Sequence, residues 1–442
     1  MKKYIAIQIS KILKKIGAKF NRGSSLPGQI ALKVCPDILS RIKLPEYTIA
    51  VTGSNGKTST VEMIYQVLTK AGYTVAYNYE GSNQIEGVTT LILDNCDNNG
   101  VFNKDVLLME VDERYAQYVF KYFTPKYFVV NNLYRDQMTR NGNPEFVLGE
   151  IKKAIHEDSI LVLNSDDPII AALGEEYKNE VVYFGIEDNQ YTTEEDEDIY
   201  NDGYYCPICK SKMIYDYHHF SHVGKYRCSK CDFSRPEPEY AITQIDLEKG
   251  KLVINNKAKM NIGFKAIHNA YNMLAAYTIT SLMGISQKMI VKALDKYLIS
   301  NGRFRRFRLG NTEGTLLISK HENSISYNSN IQYVVDRDED VNVLFIVDDI
   351  SRKYFTSDTS WIWDINFEKL NNEHIKEIVI AGKYIYDMAL RFEYAGIDSH
   401  KLVLKQTTKE AIDYLRDSDR ELYVLTCFSD EAKLLKEVEV EQ

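Results

Sequence analysis

Tyr47-Thr48-Ile49-Ala50-Val51 is a β-rich run that leads directly into Thr52-Gly53-Ser54-Asn55-Gly56-Lys57-Thr58-Ser59-Thr60, and Val61 to Leu68 then carries helical periodicity. A strand that ends in a glycine loop and opens a helix commits this part of the chain to a βα unit. Glycines let backbone N–H groups turn inward to form an anion nest, and the helix N-terminus adds the positive end of its dipole. A lysine then reaches the outer phosphates and a neighbouring hydroxyl holds Mg²⁺. Lys57 and Thr58 occupy these last two places, with Gly53, Asn55, Gly56 and Ser59 framing the nest. The general phosphate-loop spacing would put another glycine at position 51, where this chain has Val51, so the loop is a variant form. The competing reading is a Gly-Ser turn followed by a chance Gly-Lys-Thr.

Further short apolar runs define the sheet around it. Val106 to Met109 reads as a buried strand ending in Glu110-Val111-Asp112-Glu113. An acid at the C-terminal end of a strand beside a phosphate loop is where a parallel α/β sheet places a metal-handling carboxylate, and Glu110 is the candidate; a solvated cap is the alternative. Tyr127 to Val130 opens onto Asn131-Asn132-Leu133-Tyr134-Arg135-Asp136-Gln137, and Ile160 to Leu163 onto Asn164-Ser165-Asp166-Asp167-Pro168. Four such strands with helical connections predict a mostly parallel sheet covered on both faces. From Gly314 onward Thr315–Ile318, Val341–Val347, Ile378–Ile380 and Leu422–Leu425 repeat the pattern as a second, smaller α/β unit. Trp361 and Trp363 have the spacing of two residues on one face of an extended segment, as plain core or as part of an interface.

A chain of 442 residues has room for two to four domains. The boundaries expected are a basic lead-in over 1–46, a nucleotide domain over 47–300 with an insert at about 200–236, and a C-terminal domain over 301–442. Its net charge of −8 argues against a nucleic-acid binder, and no apolar run approaches the roughly 20 residues of a membrane span. Yet the first 36 residues contain no acid. There Lys2, Lys3, Lys11, Lys14, Lys15, Lys19 and Arg22 alternate with Ile5, Ile9, Ile12, Leu13, Ile16 and Phe20 at helical spacing. Lysines within the apolar stretch and the absence of a small-residue cleavage site argue against a cleaved signal peptide. Two readings stand: a surface helix packed on the domain behind it, or one whose basic face also attends an anionic membrane.

Of the seven cysteines, Cys206, Cys209, Cys228 and Cys231 form Cys-x₂-Cys-x₁₈-Cys-x₂-Cys, a zinc-site spacing. Four thiolates close a tetrahedral shell with no open position, which makes the expected zinc structural. His218, His219 and His222 lie between the pairs as competing ligands, and Glu194 to Asp198 upstream reads as a solvated loop.

Read together, these motifs resemble the Mur ligase superfamily of ATP-dependent amide-forming enzymes. The resemblance rests on the Thr52 to Ser59 loop, on Asn164-Ser165-Asp166-Asp167-Pro168, on His268-Asn269-Ala270-Tyr271-Asn272 and on Asn301-Gly302-Arg303. Within it, nearly the whole chain is similar to the MurT family, the ligase subunits of lipid II isoglutaminyl synthase. That similarity rests on Gly23 to Ala31, Glu80-Gly81-Ser82-Asn83, Asn132 to Gln137, the four-cysteine ribbon and Asp358-Thr359-Ser360-Trp361-Ile362-Trp363-Asp364.

The resemblance implies a Mur-ligase-type central domain with an inserted zinc ribbon and a MurT-type C-terminal α/β domain. It implies ATP and Mg²⁺ as cofactors and a GatD-like glutaminase as partner. The activity implied is amidation of the α-carboxylate of D-glutamate in the lipid II stem peptide to D-isoglutamine, through an acyl phosphate, at the cytoplasmic face of the membrane. By position, Lys57, Thr58 and Glu110 handle phosphate and metal, and Asn269, Asn272 and Arg303 line the nucleotide. Asp358, with Asp364 as the nearby alternative, completes a Cys-His-Asp arrangement with the glutaminase. The sequence departs from the family at Lys320-His321-Glu322-Asn323-Ser324, where Lys-Asn-Pro-Ala-Gly is usual, and at Ser351 to Ser357, which lacks an Asp-Gly pair. A stand-alone Mur-type ligase joining an amino acid to a carboxylate, and a non-catalytic nucleotide- and zinc-containing scaffold, are the alternatives.

Overall fold

The computed structural model describes residues 1–18, 23–79, 81–196, 198–264, 266–297, 304–350, 357–416 and 418–440. Lys19, Phe20, Arg22, Glu80, Glu197, Asn301, Gly302, Arg303 and Ser351 to Thr356 lie outside the described residues. The chain divides into two compact units. The first comprises Met1–Tyr134, Pro144–Asp196 and Asp202–Ile299, and the second Arg135–Asn143, Glu197–Asn201 and Ser300–Gln442.

In the first unit a nine-stranded sheet is built from β1 (Tyr47–Thr52), β2 (Val75–Tyr77), β3 (Val106–Glu110), β4 (Tyr127–Val130), β5 (Ile160–Asn164), β6 (Val181–Ile186), β9 (Tyr240–Asp246), β10 (Lys251–Ile254) and β11 (Ala258–Asn261). Its order is β11-β10-β9-β6-β5-β4-β1-β3-β2, parallel from β2 to β9 and antiparallel at β10 and β11. The β-branched and aliphatic make-up of β1, β3 and β4 suits burial on both faces, and every residue of β3 and β4 is buried. β1 runs outward to β2 while β3 runs back across β1 to β4, so the chain leaves the adjacent strands β1 and β3 in opposite directions. The C-terminal edge of β1 is therefore a topological switch point, where ligands bind in open α/β sheets.

Helices α1 (Lys2–Ala18), α2 (Leu26–Val34), α3 (Lys57–Lys70) and α4 (Ile85–Asp94) pack on this sheet. Ala6 and Ile7 of α1, Ala31 of α2 and Val88 and Ile92 of α4 join Ala50, Leu107 and Phe128 of the strands in one core. A separate antiparallel pair, β7 (Met213–Phe220) and β8 (Val223–Cys228), forms the insert.

The second unit holds a seven-stranded sheet of β12 (Phe304–Leu309), β13 (Thr312–Ser319), β14 (Val341–Ile346), β15 (Ile375–Ala381), β16 (Leu402–Lys405), β17 (Glu421–Cys427) and β18 (Glu439–Val440). The order is β16-β15-β14-β17-β13-β12-β18, parallel except at β12 and β18. Val343 and Phe345 enter one core cluster while Leu344 and Ile346 enter another, so both faces are covered. The tryptophan segment corrects the extended reading. Ser360–Asp364 is a 3₁₀ helix, and two residues along it turn a side chain by about 240°. Trp361 is buried against Tyr327, with ring centroids 5.4 Å apart, whereas Trp363 is 38% exposed beside Tyr394 and Arg391.

Candidate active site

Gly56 caps α3 with φ 82°, and Gly53 has φ 134°, both in the region that disfavours a side chain. Space also requires glycine at position 56, because a Cβ there would lie 1.9 Å from Asn272 Oδ1. The loop is clamped to the end of β4: Ser54 N–H donates to Asn132 O at 3.0 Å and Asn55 N–H to Asn132 Oδ1 at 2.9 Å. Ser54 Oγ further donates to Tyr134 O at 3.0 Å. The nest is thus held by neighbouring strands as well as by its own glycines.

Lys57 opens α3 and folds back over the loop. Its Nζ donates to Gly53 O and to Glu113 Oε1, the latter at 2.8 Å, with the two side chains only 10% and 6% exposed. Thr58 Oγ1 donates to Glu110 Oε2 at 2.8 Å, and Asn83 Nδ2 to Glu110 Oε1 at 3.1 Å. Asn78 fixes the backbone of Glu110 at both its N–H and its C=O, at 2.8 Å each. A cation, a hydroxyl and a carboxylate therefore converge on the C-terminal edge of β1 and β3. Glu113 and Asn132 were not singled out in the sequence. Glu113 belongs to the acidic run that ends β3, but nothing in that run says which acid faces the lysine.

The helix Ile267–Leu282 brings Asn272 to the same loop. Asn272 Nδ2 donates to Asn269 Oδ1 at 3.3 Å, while its Oδ1 lies 3.5 Å from Thr60 Oγ1. Asp166 and Asp167, in the segment after β5, are occupied structurally. Asp167 caps Pro168–Ala171 through Ile169 N–H and Ile170 N–H. Asp166 accepts from Arg235 Nε and Tyr271 O–H, each at 2.6 Å, and from Ile186 N–H at 2.7 Å.

Cys206, Cys209, Cys228 and Cys231 bring their sulfurs within 4.8 Å of one another, a donor set that could hold a metal ion. The three histidines are elsewhere. His218 Nδ1 is against Ser221 O, His219 Nε2 against Ile186 O, and His222 lies 3.4 Å from Asp167. Burial opposes charge on His222, but the surrounding acids, Asp167 foremost with Asp202 and Asp196, more than offset it and raise its pKa. Tyr226 O–H donates to Ser165 O at 2.9 Å, which anchors the cysteine hairpin on the segment after β5.

Residues 51–280 match the Mur ligase middle domain, and residues 321–430 match the MurT ligase C-terminal domain. Lipid II isoglutaminyl synthase (glutamine-hydrolyzing) subunit MurT of Staphylococcus aureus (strain COL) is 30% identical over 420 residues, covering 94% of this chain and 93% of the relative. The chain belongs to the MurT family of Mur ligases. The Streptococcus pneumoniae MurT subunit is 27% identical over 430 residues, covering 93% and 91% of the two chains. The fold is that of a pseudomurein peptide ligase type C from Methanothermus fervidus, with a TM-score of 0.69 and 20% identity over 91% of this chain and 80% of that one.

In this MurT-family enzyme the second unit presents Asp358 at the surface. Its Oδ1 accepts from Ser360 N–H at 2.9 Å, and the Ser360 hydroxyl and N–H hold the carboxyl below its ordinary range. Asp364 is 12% exposed and lies 3.6 Å from Arg135 Nη1. Arg135 stacks 3.8 Å over the Tyr200 ring. The turn that departs from the usual MurT pattern is tied to the 135–143 segment of the same unit. Lys320 Nζ pairs with the Asp136 carboxylate, and Asn323 Nδ2 donates to Asp136 Oδ1 at 3.0 Å. Glu322, at φ 48°, accepts from Thr139 N–H at 2.9 Å; burial raises its pKa although the Thr139 bonds oppose the shift. Arg303 is outside the described residues.

Proposed function

We propose that this chain is the ligase subunit of a two-chain amidating enzyme of peptidoglycan synthesis. It would use ATP and ammonia from a GatD-like glutaminase to convert the α-carboxylate of D-glutamate in the lipid II stem peptide to D-isoglutamine. The observation that carries the reading is Lys57, Thr58 and Glu110 gathered on the glycine loop at the switch point, in a chain of the MurT family.

A carboxylate does not react with ammonia directly, because the anion repels nucleophiles and oxide is a poor leaving group. Transfer of the γ-phosphoryl group to a carboxylate oxygen gives an acyl phosphate, and attack by ammonia on its carbonyl carbon expels phosphate and leaves the amide. For such a transfer the protein supplies positioning and charge neutralisation. With Ser54 and Asn55 N–H engaged by Asn132, the backbone N–H groups of Gly56, Lys57 and Thr58 that open α3 would cradle the phosphates, and Lys57 would exchange Glu113 for the outer phosphate. Thr58 and Glu110, already 2.8 Å apart, fit a shared Mg²⁺, which supplies charge neutralisation when bound. Asn269 and Asn272, beside the loop, would line the nucleotide. The four thiols fit zinc in a closed, structural site.

Ammonium is protonated and unreactive, so a sheltered supply of free ammonia from an adjoining subunit suits the chemistry. Asp358, exposed at the head of the Asp-Thr-Ser-Trp segment, would be the acid that orients a glutaminase histidine, with Asp364 as the nearby alternative. A lipid-linked acceptor would place the enzyme at the cytoplasmic membrane face. The test is ADP release from ATP, glutamine and lipid II with and without the glutaminase. Turnover only with both chains is expected; glutamine-driven turnover by the isolated chain, or ADP release driven by a single amino acid, would overturn the proposal.

A further inference from the structure

One side of α1 is core and the other is an apolar stripe left exposed by the described residues of the first unit. At about 100° per residue, Ala6, Ile7 and Ser10 point inward and are buried. On the same geometry Ile5, Ile12 and Ile16 fall within an arc of about 40° on the opposite side, and are 40%, 55% and 51% exposed. Tyr4, on the far side of Lys15 from the stripe, is 52% exposed. Three isoleucines on the outer face of one helix are not what a water-facing helix carries.

The charges around the stripe say what would cover it. Every ionisable side chain on α1 apart from Tyr4 is a lysine. Lys2 and Lys15 are exposed on the two edges of the stripe, while Lys3 and Lys11 are turned back onto the carbonyls of Asn99 and Cys96. The loop bordering the helix lies on the side of Lys3 and Lys11, away from the stripe, and so does its acid Asp97. Asp97 accepts the N–H groups of Asn99 and Val101 at 2.8 Å each, and Asn98 accepts from Gln8 at 2.7 Å. A second copy of the helix would bring lysines against lysines. An anionic bilayer satisfies both features, taking isoleucines at the acyl boundary and lysines at the phosphates.

We infer that α1 is an interfacial anchor that lies flat on an anionic lipid surface, with Ile5, Ile12 and Ile16 inserted and Lys2 and Lys15 on the headgroups. The inference stands on α1 alone and is tested without ATP or acceptor, so its failure and that of the proposed amidation are separate results. The full chain is sedimented with vesicles of phosphatidylcholine alone and of phosphatidylcholine mixed with phosphatidylglycerol. It should bind the mixed vesicles, in a salt-sensitive way, and the neutral ones weakly. Lys2→Gln with Lys15→Gln should weaken binding to mixed vesicles roughly thirtyfold, taking the usual contribution of a lysine near an anionic surface. Ile5→Gln with Ile12→Gln and Ile16→Gln should abolish binding, with thermal unfolding unchanged because all three are exposed. Wild-type protein that stays in the supernatant, a triple variant that binds like wild type, or a wild-type dimer that the triple variant dissociates would each overturn the inference.

Discussion

Replacing Gly56 by alanine tests the geometry of the loop directly, because the structure separates two penalties. The first is backbone: φ is 82° at Gly56 and 94° at Gly72, and Gly72 lies just beyond the other end of α3. Alanine in that region costs about 1–2 kcal/mol at either site. The second is steric and belongs to Gly56 alone. A Cβ at Gly72 meets nothing within 4 Å, whereas at Gly56 it meets Asn272 Oδ1 at 1.9 Å. Asn272 is buried, and displacing it from Thr60 and Asn269 leaves polar atoms unsatisfied at a cost of about 1–3 kcal/mol. Gly56→Ala should therefore destabilise the first unit by about 2–5 kcal/mol and Gly72→Ala by about 1–2 kcal/mol. Both tryptophans lie in the second unit, so fluorescence reports the wrong part of the chain. Hydrogen exchange of the β1 and α3 amides is the assay. Equal losses in the two variants, with nucleotide affinity intact in Gly56→Ala, would refute the close approach of Asn272 to the loop.

Elemental analysis should find one zinc per chain, lost in Cys228→Ser together with amide protection over Met213–Cys228; metal-free protein with full protection there would contradict a structural metal. Glu322 has a folded pKa raised above 4.5 by burial, so the folded state binds its proton more tightly than the unfolded one, and stability falls as pH rises through the interval above 4.5. Glu322→Gln should flatten that slope in the unfolding of the second unit, followed by tryptophan fluorescence, and an unchanged slope would count against the assignment. Asp358→Asn should lower glutamine-driven turnover by about 100-fold or more, while turnover on added ammonium salts persists. Equal loss on both nitrogen sources would place Asp358 in the ligase reaction instead.

The parts of the fold legible in the sequence were those where burial on two faces writes an unbroken apolar run. β1, β3, β4 and β5 were readable on that ground, and so were β13, β14, β15 and β17. β12 was not, because the apolar residues of Phe304-Arg305-Arg306-Phe307-Arg308-Leu309 form neither an unbroken run nor a period of two. β2 and β16 are three and four residues long and too short to show a period. In the site, Lys57, Thr58 and Glu110 were legible because a loop after a strand and an acid ending a strand have fixed positions in a parallel sheet. Glu113 and Asn132 were not, since which side chain of an acidic or amide-rich run turns toward the loop depends on tertiary packing. The tryptophan pair failed for a related reason. Spacing alone does not separate an extended segment from a 3₁₀ turn, and a polar Asp-Thr-Ser lead-in suits either.

The central claim is that the glycine loop takes a nucleoside triphosphate with magnesium, and calorimetric titration of ATP into zinc-replete protein measures it most directly. The account predicts saturable uptake of one ATP per chain that requires Mg²⁺ and disappears in Lys57→Met, with protection of the β1 and α3 amides measured alongside because the change strands the buried Glu113 carboxylate. No uptake at any magnesium concentration, or equal uptake by Lys57→Met, would contradict it.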